Sequence, residues 1–221
     1  MPILHVAASP RGGRSASLAV ASAFLDAYRA GHPGVAVDTL DVWATDLPPF
    51  DGPALEAKYA GLAGRPLTDA QRSAWGQVRS LADRFRAADL IVMSVPMWNF
   101  GLPYRLKHLI DAVSQKDLLF AFDGGRPAGL LGGRRLVVIA ARGAPMGGDF
   151  PEAEADHQVA YLADLGEAGR HRRRPRRPRR GDAGRARGRP GRPGRLARRG
   201  RGARRRPLIT LPLPDLSRPD L

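Results

Sequence analysis

The stretch Leu90-Ile-Val-Met-Ser-Val-Pro-Met-Trp-Asn-Phe-Gly-Leu-Pro103 constrains the fold more than any other part of the chain. Leu90 to Val95 is an apolar run of strand length, rich in β-branched residues. A run without polar alternation fits a parallel strand buried on both faces. Pro96 has no N–H to give the ladder and ends it. Met97 to Gly101 make a loop, and Pro103 suits the first turn of a helix. Leu106, Leu109, Ile110 and Val113 then fall on one helix face. In open α/β sheets, ligands bind where loops leave the carboxyl ends of such strands. Trp98 and the amide of Asn99, placed there, suit a flat, hydrogen-bonding ligand. The alternative is a well-packed turn with Trp98 and Phe100 in the core.

The flanking sequence repeats this grammar. Ile3 to Ala8 reads as a first strand, and Ser9-Pro-Arg-Gly-Gly-Arg-Ser-Ala-Ser17 as a loop of small residues and turn formers. Ser15 or Ser17 can cap the helix that follows from Leu18 to Ala30. Val35 to Leu40 reads as a second strand, and Thr45 to Gly52 as an irregular connection. Thr68-Asp-Ala-Gln71 has the form of a capping box. It opens a helix whose stripe is Trp75, Val78, Leu81 and Phe85. Leu118 to Leu131 reads as a small hairpin around Asp123-Gly124-Gly125. Leu136 to Ala141 supplies the fourth sheet strand, and Pro151 to Leu165 a helix. Strands alternating with helices imply βαβ units in a doubly wound parallel sheet.

After Leu165 the grammar stops. From Gly166 to Pro207 the chain is Arg, Gly, Pro and Ala apart from Glu167, His171, Asp182 and Leu196. The fifth strand and last helix of a doubly wound sheet are missing, and disorder is the expected state of such a segment. Residues 166–221 hold 20 arginines and four acidic residues, whereas residues 1–165 hold 16 basic and 17 acidic ones. The net charge of +15 therefore belongs to the tail. The tail is read as an Arg-rich arm binding nucleic acid nonspecifically through phosphates, as a solvated linker, or as an out-of-frame translation. Arg, Gly, Pro and Ala are the residues whose main codon boxes carry only G and C in the first two positions. A slip near Leu165 in a GC-rich gene yields this alphabet. The domains are thus 1–165, folded, and 166–221, an Arg/Gly/Pro-rich tail.

Zero Cys excludes disulfides and cysteine-held metal, and it fits a reducing cytosol. No run approaches a membrane span, and the start, Met1-Pro-Ile-Leu-His-Val, has no basic n-region. A cytoplasmic protein is expected.

Three loops leave the carboxyl ends of the first, third and fourth sheet strands. The first offers hydroxyls, backbone N–H groups and a helix N-terminus, an anion site suited to a monophosphate. It matches neither the Walker pattern nor G-x-G-x-x-G. The last, Arg142-Gly143-Ala144-Pro145, faces Met97 to Phe100, and Gly143 permits close approach to a planar ligand. Phe120 and Phe122 could close over a ring, or could simply be packing. Phosphate at one loop and a ring between two others describe a flavin mononucleotide.

Ser9-Pro-Arg with Ser15-Ala-Ser17, Pro96-Met-Trp-Asn-Phe100 with Pro103 and Leu106-Lys107, and Ala141-Arg-Gly143 occur in the order and spacing of a known family. Residues 1–165 resemble the FMN-dependent NADH azoreductase and quinone reductase family, of flavodoxin-like fold with sheet order 2-1-3-4-5. The resemblance implies a homodimer with FMN near the interface, NADH as donor, and a quinone or azo compound stacked on the flavin. Both electrons pass as hydride through flavin N5, in ping-pong order. Carried over by position, Ser9, Ser15, Ala16 and Ser17 hold the phosphate. Met97, Trp98, Asn99 and Phe100 contact the ring, while Ala141, Arg142, Gly143 and Ala144 lie at its pyrimidine edge. Phe120 and Phe122 face the substrate, and Asn99 and Gly143 orient the ring. No side-chain acid or base and no metal is implied; His5 reads as strand-buried and His108 as a helix residue. Ala16, Ala141 and Ala144 depart from the more polar or glycine residues of the family. An FMN reductase, a nucleic-acid-binding protein and an inactive product are the competing readings.

Overall fold

The computed structural model describes residues 1–123, 125–147 and 151–168. In chain order these form β1 (Ile3–Ala7), α1 (Ala16–Gly31), β2 (Val37–Asp41), α2 (Gly52–Leu62), α3 (Asp69–Ala87), β3 (Leu90–Pro96) and α4 (Tyr104–Val113). Then come β4 (Phe120–Asp123), β5 (Arg126–Gly129), β6 (Arg135–Ala141), α5 (Glu152–Ala155) and α6 (His157–Ala168). The Arg-rich tail, its apolar end Leu208–Pro214 and Gly124 of the expected turn lie outside the described residues.

Four strands form a parallel sheet in the order β2-β1-β3-β6, and β4 pairs with β5 in a separate antiparallel hairpin. The register places Ile3 beside both Val37 and Leu90, and Leu90 beside Arg135. Alternate side chains of each strand serve opposite faces. Leu4, Val6, Ile91, Met93, Val95, Val138 and Ala140 pack with Val78 and Phe85 of α3, Leu106 and Ile110 of α4, and Leu162 of α6. Ile3, Leu90, Val92, Val137 and Ile139 pack with Ala21 and Leu25 of α1. β3 is apolar on both faces because helices cover both.

Local chemistry fixes the ends. Thr68 accepts from Gln71 N at 3.3 Å while Gln71 Oε1 accepts from Thr68 N at 3.0 Å, completing the expected capping box. Arg84 grips the Asp38 carboxylate with two nitrogens, at 2.8 and 2.6 Å, and ties α3 to β2. This contact holds the Asp38 carboxyl below the usual range.

The structure corrects two sequence expectations and adds one helix. β2 begins at Val37 rather than Val35. Gly52 to Leu62 is helical, and Ala54, Ala57 and Ala60 form its buried side. The helix expected over 151–165 divides at Asp156, whose side chain starts α6 afresh by accepting from Gln158 N at 2.9 Å and Val159 N at 2.8 Å. Among the described residues no fifth strand joins the sheet beyond β6.

His5 is buried in β1, with Nε2 2.9 Å from Ser94 Oγ of β3. Burial pushes the His5 pKa below 6.5, and Asp41 only partly offsets this. The fold therefore holds His5 neutral, and its contribution to stability is present above pH 6.5 and lost as pH falls. Thermal melts between about pH 7.5 and 5 should show a falling midpoint, with a shallower fall for His5→Asn. An identical slope for the variant would contradict this assignment.

Candidate functional site

Parallel register brings three loops to one edge. Ala7 lies beside Ser94, and Pro96 beside Ala141, so β1, β3 and β6 end together. Ala8 N donates to Ser94 O at 3.0 Å and Met97 N to Ala141 O at 2.7 Å, carrying the pairing into the loops.

The first loop is a short turn ahead of a helix. Gly12 takes φ +53°, which suits a residue without Cβ. Ser15 caps α1, its Oγ accepting from Leu18 N at 3.4 Å, and it lies 3.2 Å from Ser17 Oγ. Ser9 Oγ accepts from Arg11 N at 3.4 Å. Ser9, Ser15 and Ser17 are all buried, while Arg11 and Arg14 are exposed. Ala16 is the first helical residue, and first-turn N–H groups have no acceptor within their own helix. Buried hydroxyls beside such groups make an anion cradle.

The β3 loop is a two-residue hairpin. Trp98 N donates to Gly101 O at 3.1 Å and Gly101 N to Trp98 O at 2.9 Å. Asn99 and Phe100 between them take φ 48° and 65°. Asn tolerates the left-handed region; a bulky ring residue there is strained and persists only where its surroundings hold it. One such hold is His157 N at the start of α6, which donates to Phe100 O at 3.1 Å. Trp98 is 37% and Phe100 40% exposed, so neither is a core residue.

A fourth loop, after β2, joins them. Trp43, just past β2, donates Nε1–H to Ala8 O at 3.0 Å. Its ring lies 5.6 Å from Trp98 and 5.3 Å from Tyr104, the latter edge-on. Arg105 on α4 fixes this loop by donating to Val42 O at 2.8 Å and Thr45 O at 2.7 Å. His108 Nε2 lies 2.9 Å from Pro48 O, a contact that also joins α4 to this loop. The only local signal was a Trp two residues past a strand; the sheet order that sets β2 beside β1 supplies its partner.

The β6 loop carries Ala141, Arg142, Gly143 and Ala144. A Cβ on Gly143 would meet nothing within 4 Å, so the space beside it is open. Arg142 pairs with Glu152 at 3.0 Å and with the buried carboxylate of Asp156. Its Nε is buried and has no acceptor among the described residues. Gln158 is wholly buried, donating Nε2–H to Val95 O at 3.0 Å, and its Oε1 has no partner among the described residues. Asp156 and Gln158 thus support the carboxyl end of β3 from α6; neither was singled out from sequence.

The serine loop, Met97–Phe100 and Ala141–Ala144 therefore converge. Phe120 and Phe122 do not join them in this chain. Phe120 lines a groove with Arg135 and Leu136 at the opposite end of β6, and Phe122 is 54% exposed. Among the described residues no cluster of three metal-ligating side chains occurs, and no helix is long and apolar enough to cross a membrane.

A family model described as "flavodoxin-like fold" matches residues 1–166. The chain belongs to this family. Over 162 residues it is 58% identical to an FMN-dependent NADH:quinone oxidoreductase 2 of Pseudomonas syringae pv. tomato, covering 73% of this chain and 78% of that protein. A protein of the same name from Burkholderia lata is 51% identical over 167 residues, covering 73% of this chain and 79% of the relative. The crystal structure of an azoreductase from Bacillus anthracis str. Sterne superposes with a TM-score of 0.69 at 27% identity, covering 76% of this chain and 81% of that one.

Because Asp156 both caps α6 and meets Arg142, its two roles can be separated. Asp156→Ala should lower stability by about 1 kcal/mol through the lost cap. Asp156→Asn, which keeps the cap, should lie between it and the parent. Denaturant midpoints check the order; equal midpoints for Ala and parent would remove Asp156 from this role.

Proposed function

We propose that this flavodoxin-like protein is an FMN-dependent NADH oxidoreductase that reduces quinones and azo compounds. The observation that carries the proposal is the convergence of a buried serine cradle at a helix N-terminus with a strained hairpin bearing exposed aromatic rings. Relatives named as FMN-dependent NADH:quinone oxidoreductases, alike over the same residues, support it.

The residues present fit FMN. Three buried serines and the first turn of α1 suit a phosphate. The orphaned Nε of Arg142 and the open space at Gly143 suit the polar edge of a flat ring. FMN held there supplies two-electron chemistry between NADH and the acceptor.

In this reading Ser9, Ser15 and Ser17, with the backbone of Ala16, hold the phosphate. Met97 to Phe100 meet the ring largely through backbone, and the Asn99 side chain orients it. Ala141 to Ala144 border its pyrimidine edge, where backbone N–H groups favour negative charge. Trp98, with Trp43 and Tyr104 behind it, walls the cleft and excludes water. No histidine lies in these loops, so protons exchange with solvent. Both substrates use one cleft in turn, in ping-pong order. The exposed rings of Trp98, Phe100 and Tyr104 suit a second copy of the chain, in a cytoplasmic homodimer whose partner supplies the surface that Phe120 and Phe122 address.

Initial rates over a grid of NADH and quinone concentrations test the reaction. Parallel double-reciprocal lines are expected; absence of NADH-dependent quinone or azo reduction by FMN-loaded protein would reject it. Faster turnover with free FMN as acceptor would favour an FMN reductase instead. Ser15→Ala with Ser17→Ala should weaken FMN by roughly tenfold or more, each hydrogen bond to a charged group being worth about 1.5–3 kcal/mol. Riboflavin, which lacks the phosphate, should bind that double variant as it binds the parent. Equal FMN affinity in parent and variant would misplace the phosphate. Asn99→Ala should slow reduction with only a modest loss of FMN.

A further inference from the structure

The described chain ends beside an apolar groove that no described residue fills. The groove holds about 330 Å³ and is walled by Ile91 and Met93 of β3, Ile110 and Val113 of α4, Leu136 of β6 and Leu165 of α6. Gly166 also lines it; a Cβ there would come within 2.9 Å of Leu136 Cδ2, so the helix passes close against β6. Among the described residues β6 pairs on one side only, with β3. An open strand edge beside apolar surface is a template for one more strand. Likeness to the family stops at the same point, since the family model ends at residue 166. The match to the Pseudomonas relative covers 78% of that protein, so the relative has further sequence outside it.

We infer that the groove and the edge of β6 that no described strand pairs with are the seat of an apolar strand, and that this strand is encoded in the frame starting one base later than the frame read as residues 169 onward. The genetic code carries the second half. From Gly166 to Pro207 every residue has codons beginning with G or C, taking Arg and Leu from their four-codon boxes. Those first bases become third bases in the later frame, giving the G- or C-ending codons that a GC-rich gene favours. The second bases become first bases. From Gly166 to Arg195 none of them is T, and every stop codon begins with T, so the later frame is open there. Gly169 and Arg170 become codons of the form GNC, for Val, Ala, Asp or Gly. His171 becomes Ile or Thr, and Arg172 to Arg174 become GNC again. That alphabet can build a buried strand. The other frame turns each Arg-Arg junction into Ser, Pro, Thr or Ala and supplies no apolar run.

Two measurements test the inference, and neither uses flavin, so the outcome is separate from that of the proposed activity. The first reads the third bases of the codons for Gly169, Arg170, Arg172, Arg173 and Arg174. T recurring among them, encoding Val in the later frame, is expected. G or C at all of them would encode only Gly and Ala there and would overturn the inference in favour of a selected basic arm. The second compares the 221-residue chain with the frame-restored chain by fluorescence of an apolar dye, anilinonaphthalene sulfonate, and by thermal melting. Loss of dye enhancement and a higher midpoint in the restored chain are expected. A synthetic peptide of the decoded strand should displace the dye from the 221-residue chain. Undiminished dye binding in both experiments would overturn the groove as that strand's seat.

Discussion

The site depends on one constraint: a strand buried on both faces must stop at a chosen place. β3 lies between β1 and β6 and packs α1 on one face and α3, α4 and α6 on the other. Its position is therefore fixed by two ladders and two layers of side chains. Pro96 ends the regular donors, Met97 makes a last bond to Ala141 O at 2.7 Å, and the chain must turn. Because β1 and β6 both flank β3 in parallel, the three loops leave at the same edge. The convergence of three loops is a consequence of register.

The hairpin at Asn99–Phe100 stores strain that the rest of the site maintains. Its two positive φ values are braced by a pair of backbone bonds and by the N-terminus of α6. α6 is in turn started by Asp156, which also engages Arg142 of the facing loop. Gln158, two residues on, reaches β3 at Val95 O. The hairpin, the last loop and α6 thus form one connected unit. Asp156 thus bears on the hairpin through α6, without touching it directly.

Much of this was legible in the chain itself. Leu90 to Pro103 announced strand, loop and helix because burial on both faces removes polar alternation and proline marks both ends. Thr68 and Gln71 announced a helix start because capping is a contact three residues apart. α2 was hidden because its buried side is Ala54, Ala57 and Ala60, small residues that give no apolar stripe in a sequence rich in alanine. The break at Asp156 was hidden because a capping aspartate inside a helical pattern reads as one more polar helix residue. Trp43 became a site residue only when the sheet order set β2 beside β1 and brought its indole to Ala8 O. Such long-range pairings carry no local signal. The change of alphabet after Leu165 was plain in sequence, while the apolar groove beside it needed the fold to be seen.

The central claim is that the loops of residues 1–168 form an FMN site. Its most direct test is titration of FMN into the purified 221-residue chain, followed by quenching of flavin fluorescence, in salt sufficient to screen the arginine-rich segment. The account predicts saturable quenching at one FMN per chain that persists as salt is raised. Quenching that never saturates, or that vanishes with added salt, would mean that the flavin meets only the arginines and that the loops do not form the site.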